Sequence, residues 1–247
     1  MEKKIKGVVD LVFLIDATGS MQGCIDGLKE NIKLFFEKLT SRTGNGTIPV
    51  RDWRAKIVGF RDFEDNPATW LLDNDFTTDT QELYRQLDAL KAAGGGDIPE
   101  TMLDALFAVA DSPATAQGEP PDPQRWRHRR AAARAIIAFT DAPFKPVITA
   151  PDGRGGTVDD VINKLMEMRI LLTVVTPFQY IDELNRVREF DGMNVLAEAD
   201  KAEYIPLKDE HGNSVSLSSF ASDREVITRL LSKLAKTLSK SVETQAL

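Results

Sequence analysis

The sequence predicts an α/β fold: a doubly wound, mainly parallel sheet of six strands with helices on both faces. Three observations carry that prediction. Short β-rich apolar runs alternate with longer stretches of helical periodicity. The first run, Gly7 to Ile15, is nearly all apolar, as expected of a strand covered on both faces. Two of the runs, ending at Ile15 and Phe139, are followed at once by Asp16 and by Thr140-Asp141. In open parallel sheets, ligands bind at the carboxyl ends of strands, where strand order reverses.

The elements follow in order. After the first strand, Met21, Cys24, Ile25, Leu28, Ile32, Phe35, Phe36 and Leu39 recur at helical spacing. A second strand is expected at about Trp53 to Phe60, and a short edge strand at Thr69 to Leu72. Asp79 with Glu82 forms an N-terminal capping signal for a helix bearing Leu83, Leu87 and Leu90. Pro99 suits the first turn of a helix carrying Leu103, Leu106, Phe107 and Ala110. The stretch from about 111 to 124, with Pro113, Pro120, Pro121 and Pro123, reads as a surface loop. Arg134 to Phe139 is the next strand, Thr157 to Met168 a helix and Ile170 to Val175 a β-branched strand. Ile181, Leu184, Val187 and Phe190 suggest a further helix, and Tyr204 to Leu207 a last strand. Lys208 to Ser219, containing Gly212-Asn213, reads as a hairpin. Ser222 and Glu225 cap a final helix with Ile227, Leu230, Leu231, Leu234 and Leu238.

No internal repeat or composition break divides the chain, so residues 1–247 read as a single domain with its core at about 7–240. Hydrophobic residues at 42% and charged residues at 28% suit a globular protein with an ordinary core. A net charge of −7 argues against a nucleic-acid partner, which needs a basic face. The one basic run, Arg125-Trp126-Arg127-His128-Arg129-Arg130, reads as a solvated loop and helix edge. A lone Cys24 excludes an intramolecular disulfide, and its helical spacing makes it a buried thiol. The N-terminal apolar run is too short to span a membrane and lacks a small-residue cleavage site, so a cytoplasmic location without membrane contact is expected.

Asp16-x-Thr18-x-Ser20, the loop Gly94-Gly95-Gly96-Asp97 and Asp141 together offer hard oxygen donors from neighbouring loops. Mg²⁺ takes about six oxygens in octahedral geometry. Thr18 and Ser20 are two apart on a turn that opens a helix, so both hydroxyls can face one way while Gly19 lets the chain bend. The helix that follows presents its positive end, which Asp16, Asp97 and Asp141 must outweigh for a cation to sit there.

These motifs, in this order, resemble the metal-ion-dependent adhesion site of von Willebrand factor type A domains, over about Val8 to Leu238. Val58-Gly59-Phe60-Arg61-Asp62, Gly94-Gly95-Gly96-Asp97-Ile98-Pro99-Glu100, Trp126-Arg127 and Thr140-Asp141-Ala142-Pro143 are similar to the intracellular branch, which includes bacterial stress-system proteins and domains associated with α-type kinases. The resemblance implies a Rossmann-like sheet and a metal site of Asp16, Thr18, Ser20, Asp97 and Asp141. The implied ion is Mg²⁺, with Mn²⁺ or Ca²⁺ as alternatives, and the implied function is metal-dependent protein binding in an intracellular multi-protein system. The partner is another protein docking at the metal face. Thr18 stands where the family more often has serine and keeps the hydroxyl; Asp97 stands where adhesion receptors use threonine. A carboxylate there neutralises more of the ion's charge, which implies tighter retention and less need for a partner's acid.

Two other functions compete. Asp16 at a strand end is similar to the nucleophile position of aspartate-based phosphotransferases, but those place a second acid two residues on, where this chain has Thr18. His128 and His211 lie away from the motifs, no phosphate-binding loop is present, and Lys145 alone is a weak phosphate signal, so catalysis is not expected. A metal-free scaffold is the other alternative. Asp62, Glu64, Asp65, Asp73 and Asp75 lack the spacing of an EF-hand and read as a solvated acidic loop, although Arg61 and Asp62 could pair or brace the metal loop.

Overall fold

The computed structural model describes residues 7–42, 49–64, 67–95, 99–149, 155–177, 202–207, 211–213, 216–217 and 224–244. The chain opens with β1 (Val8–Asp16), a 3₁₀ turn (Gly19–Met21) and α1 (Gln22–Leu39). It continues through β2 (Asp52–Phe60), β3 (Leu71–Asp73), α2 (Thr80–Ala89) and α3 (Met102–Asp111). Then come β4 (Ala133–Phe139), the two-residue strands β5 (Val147–Ile148) and β6 (Gly156–Thr157), and α4 (Val158–Met168). β7 (Ile170–Pro177), β8 (Ala202–Leu207) and α5 (Arg224–Thr244) complete the described elements.

The main sheet runs β3-β2-β1-β4-β7-β8. β2, β1, β4, β7 and β8 are parallel, and β3 is a short antiparallel strand on the edge. From β1 the chain builds outward through β2 and β3, then lays β4 on β1's other side. Strand order therefore reverses between β1 and β4, at the centre of the sheet.

Successive residues of a strand point to opposite faces, and β1 divides its side chains accordingly. Val9, Leu11, Phe13 and Ile15 pack in one cluster with Ile25, Leu28 and Phe35 of α1, Leu83 and Leu87 of α2, and Leu231 and Leu234 of α5. Val12 and Leu14 join the other, with Leu103 and Leu106 of α3 and Val161 and Leu165 of α4. Phe13 and Phe35 meet edge to face at 5.2 Å between ring centres, a favoured aromatic geometry. Cys24 is buried in the first cluster, inert as packing predicts.

Caps account for several helix starts. The Asp79 carboxylate accepts from the Gln81 N–H at 2.9 Å and starts α2, while Glu82 bonds Arg85. Thr157 and Asp160 form a reciprocal capping box that starts α4. α3 departs from expectation: it begins at Met102, beyond Pro99, and the Thr101 hydroxyl donates to Asp62 at 3.0 Å instead of capping the helix. The β5–β6 pair was not legible in the sequence, since two residues carry no periodicity. The expected helix at Ile181–Phe190, the capping residue Ser222 and most of the expected hairpin at Lys208–Ser219 lie outside the described residues.

The basic run corrects a second expectation. Arg125, Arg129 and Arg130 are exposed, but Trp126 and Arg127 are buried. Arg127 donates from Nε to Asp10 Oδ1 at 2.6 Å, from its backbone N–H to Asp10 Oδ2 at 2.6 Å, and from Nη1 to Asp52 at 2.8 Å. Arg54 grips the same carboxylate from Nε at 2.9 Å and Nη2 at 2.8 Å. A chain section that looks like a solvated cation patch is the anchor of a fully buried acid.

Candidate functional site

Parallel pairing of β1 with β4 sets Ile15 beside Phe139, so Asp16 and Thr140-Asp141 emerge together at the same end of the sheet, where its order reverses. Asp16 is fully buried. Its Oδ1 accepts from the Thr18 backbone N–H at 2.9 Å and the Thr18 hydroxyl at 2.7 Å, a local turn that shapes the loop. Its Oδ2 accepts from the Thr140 hydroxyl at 2.9 Å. Burial pushes the Asp16 carboxyl up to about 6 against the pull of these hydrogen bonds, and the charge of Asp141 adds to the push. Asp141 is half-buried, and burial raises its carboxyl too, although a hydrogen bond from exposed Ser20 works the other way.

Asp16, Thr18 and Thr140 are thus linked through hydrogen bonds at one corner of the sheet, with the charge of Asp141 felt at Asp16 and Ser20 on the turn beside them. Asp97 falls outside the described residues. Gly94 and Gly95 are described, and they lie against the Asp16 turn. Gly19 N–H donates to the Gly94 carbonyl at 3.0 Å, and Ala93 N–H to the Ala17 carbonyl at 2.9 Å. Gly95 has a φ of +76°, and a Cβ there would stand 2.9 Å from Thr18 Cβ. Gly95→Ala is expected to cost about 1–2 kcal/mol for the left-handed backbone alone, with crowding of Thr18 added. Thermal unfolding measures it, and wild-type stability would rule out this close approach.

The sequence reading missed the groups behind the loop. Asp62 was read as part of a solvated acidic loop, yet it is 2% exposed. Both its oxygens lie against Lys145 Nζ, at 2.8 and 3.0 Å. Burial works to raise the Asp62 carboxyl, but Lys145, the Glu64 N–H and the Thr101 hydroxyl outweigh it and hold it below the usual range. Asp62 therefore pairs with Lys145, while Arg61 donates to the Lys91 carbonyl. Asp73, from the same acidic stretch, pairs with buried Lys56.

Glu100 enters the sequence reading only as the end of the Gly94–Glu100 motif. It is 4% exposed, and burial pushes its carboxyl up to about 8, with Asp16, Asp62 and Asp141 pushing the same way. Its position after a glycine loop and a proline was the available signal, and periodicity could not have ranked it. Among the described residues, no three His, Cys, Asp or Glu side chains stand together as a ready metal cage. The oxygens gathered at the corner are instead a mixture of carboxylates and hydroxyls.

That mixture suits a hard cation, which takes oxygen ligands of either kind and completes its shell with water. Burial raises the carboxyls of Asp16, Asp141 and Glu100, and a divalent ion beside any of them would favour its ionised form.

Residues 10–117 match the family model for the von Willebrand factor A domain, a span that includes Asp16, Thr18, Ser20 and Glu100. Over that part, a little under half of its length, the chain is similar to von Willebrand factor A domains. Domains of this type commonly mediate protein–protein interactions. Over 170 residues the chain is 24% identical to the alpha-protein kinase vwkA of Dictyostelium discoideum. The aligned part is 66% of this chain and 24% of that protein, so the chain spans about a quarter of the relative's length. Among the described residues, no helix is long and apolar enough to cross a membrane.

Proposed function

We propose that this chain is a von Willebrand factor A-type domain, a protein-binding module whose docking face is built around a divalent cation, within an intracellular multi-protein system. Asp16, Thr18, Ser20, Asp97 and Asp141 hold the ion, some directly and some through water. Mg²⁺ is the expected occupant, and Mn²⁺ or Ca²⁺ are chemically admissible. The observation that supports this most is the joining of Asp16, at the end of β1, to Thr140, the neighbour of Asp141, by a 2.9 Å hydrogen bond at the central reversal of strand order.

Binding is preferred over catalysis for a structural reason. Both oxygens of Asp16 already accept hydrogen bonds, from Thr18 and Thr140, which favours a fixed ligand-orienting role over a free nucleophile. Asp97, in place of a hydroxyl residue, would neutralise more of the ion's charge and keep it bound without a partner's carboxylate.

Isothermal calorimetry of Mg²⁺, Mn²⁺ and Ca²⁺ into metal-free protein tests the reading, with Asp16→Ala as control. The expected result is saturable binding to wild type that disappears in the variant, followed by partner capture that EDTA abolishes. Equal binding by wild type and Asp16→Ala would sink the proposal.

A further inference from the structure

We infer that Glu100 is a carboxylate ligand of that same cation, an inference that rests on the metal reading above. Glu100 is 4% exposed, and its Oε2 has no hydrogen-bond partner among the described residues. Native structures seldom leave a buried carboxylate oxygen unmet, so such an atom marks a place where a further group is expected.

The donors nearest in the chain do not fill that place. The Thr101 hydroxyl donates to Asp62, and Lys145 Nζ lies on both Asp62 oxygens. The Glu100 main chain is fixed as well. Its N–H donates to the Pro143 carbonyl at 2.8 Å, and its carbonyl accepts from Lys145 N–H at 2.8 Å. These two bonds tie Glu100 to the loop that carries Asp141, so its backbone cannot easily turn the carboxylate out to water.

The side chain points towards the corner already described. A Cβ built on Gly95 would stand 2.9 Å from Thr18 Cβ and 3.4 Å from Glu100 Oε1, which puts the Thr18 side chain and the Glu100 carboxylate on either side of the same glycine. Thr18 in turn bonds Asp16. The glycine is what lets the two approach. A water could satisfy one lone pair of Oε2, but it would not compensate an ionised Glu100 carboxylate held in a buried place. A divalent cation would do both. With Glu100 added, the ion gains a further acid of its own chain, and the partner is recognised by surface rather than by lending a carboxylate.

The test uses Mn²⁺ itself, followed by the loss of its free-ion electron paramagnetic resonance signal on binding to the full chain. Glu100→Gln keeps the shape and removes the charge. It is expected to weaken Mn²⁺ affinity by roughly tenfold or more, while the melting temperature in EDTA is not lowered. Glu100→Asp keeps the charge but shortens the reach, and should fall between; it also serves if the glutamine variant does not fold. Wild-type Mn²⁺ affinity in either folded variant overturns the inference. If Asp16→Ala loses Mn²⁺ and Glu100→Gln does not, the site stands and only Glu100's role fails. If wild type takes up no Mn²⁺, both fail together.

Discussion

Asp10→Ala is expected to lower stability by about 3–5 kcal/mol, the usual cost of removing one partner from a buried ion pair. Asp10 is fully buried and is the acceptor for four hydrogen bonds, two from Arg54, one from the Arg127 side chain and one from the Arg127 backbone. Alanine would leave the buried Arg54 guanidinium without its counter-charge and Arg127 with only the exposed side chain of Asp52. Arg127 also donates to the Val9 carbonyl at 2.9 Å, and its own carbonyl accepts from buried Arg134 at 2.7 Å. The disturbance would therefore spread along the start of β1 and into β4. Since a domain's total stability is about 5–15 kcal/mol, the variant stands near the limit of folding. Urea unfolding followed by circular dichroism gives the value, and a loss under about 0.5 kcal/mol would contradict the network's role. Asp10→Asn should lose less, because it keeps an acceptor oxygen.

Trp126→Ala carries the second large effect, about 3–5 kcal/mol for deleting a buried aromatic and leaving a cavity. The indole is wholly buried, with Phe76 tilted against it at 5.2 Å between ring centres. Its Nε1–H donates to the Val109 carbonyl near the end of α3 at 3.1 Å. Main-chain bonds from Trp126 N–H to Pro113 and from Thr115 N–H to Trp126 hold the two ends of the Pro-rich loop together. Trp126 therefore closes that loop over the second core cluster. Trp126→Phe retains most of the volume but drops the hydrogen bond, and about 1 kcal/mol is expected for it. Chemical denaturation of both variants separates the two terms; equal losses would mean that the cavity is unimportant.

These residues also show what could be read from the chain and what could not. β1, β4 and β7 were legible because nearly continuous apolar runs have a local signature, and β2 because charged residues alternate with apolar ones up to Ile57. Asp16 and Asp141 were legible as candidates because each directly follows such a run, and strand ends can be placed without knowing the fold. The Asp10 network was not. Its members are separated by 44 and 117 positions, and an acid within an apolar run has no local mark that names its partner. Arg127 was misread for the same reason, since a run of arginines looks solvated until a buried acid is found opposite it. Asp62 with Lys145, 83 residues apart, repeats the lesson. Glu100 adds another kind of invisibility: burial and an unmet oxygen are properties of three dimensions.

The central position of β1 has a consequence for how the chain comes to be folded. One edge of β1 is met early, by β2, but its other edge waits for residues 133–139 of β4. The family match ends at residue 117, before that strand. A nascent chain of that length exposes an apolar, hydrogen-bond-hungry strand border, the kind of surface that recruits stray strands or a chaperone. The segment most easily recognised by its sequence is thus not a self-sufficient folding unit. Closing the sheet centre is a long-range pairing, and it is that pairing which brings Asp16 and Asp141 together.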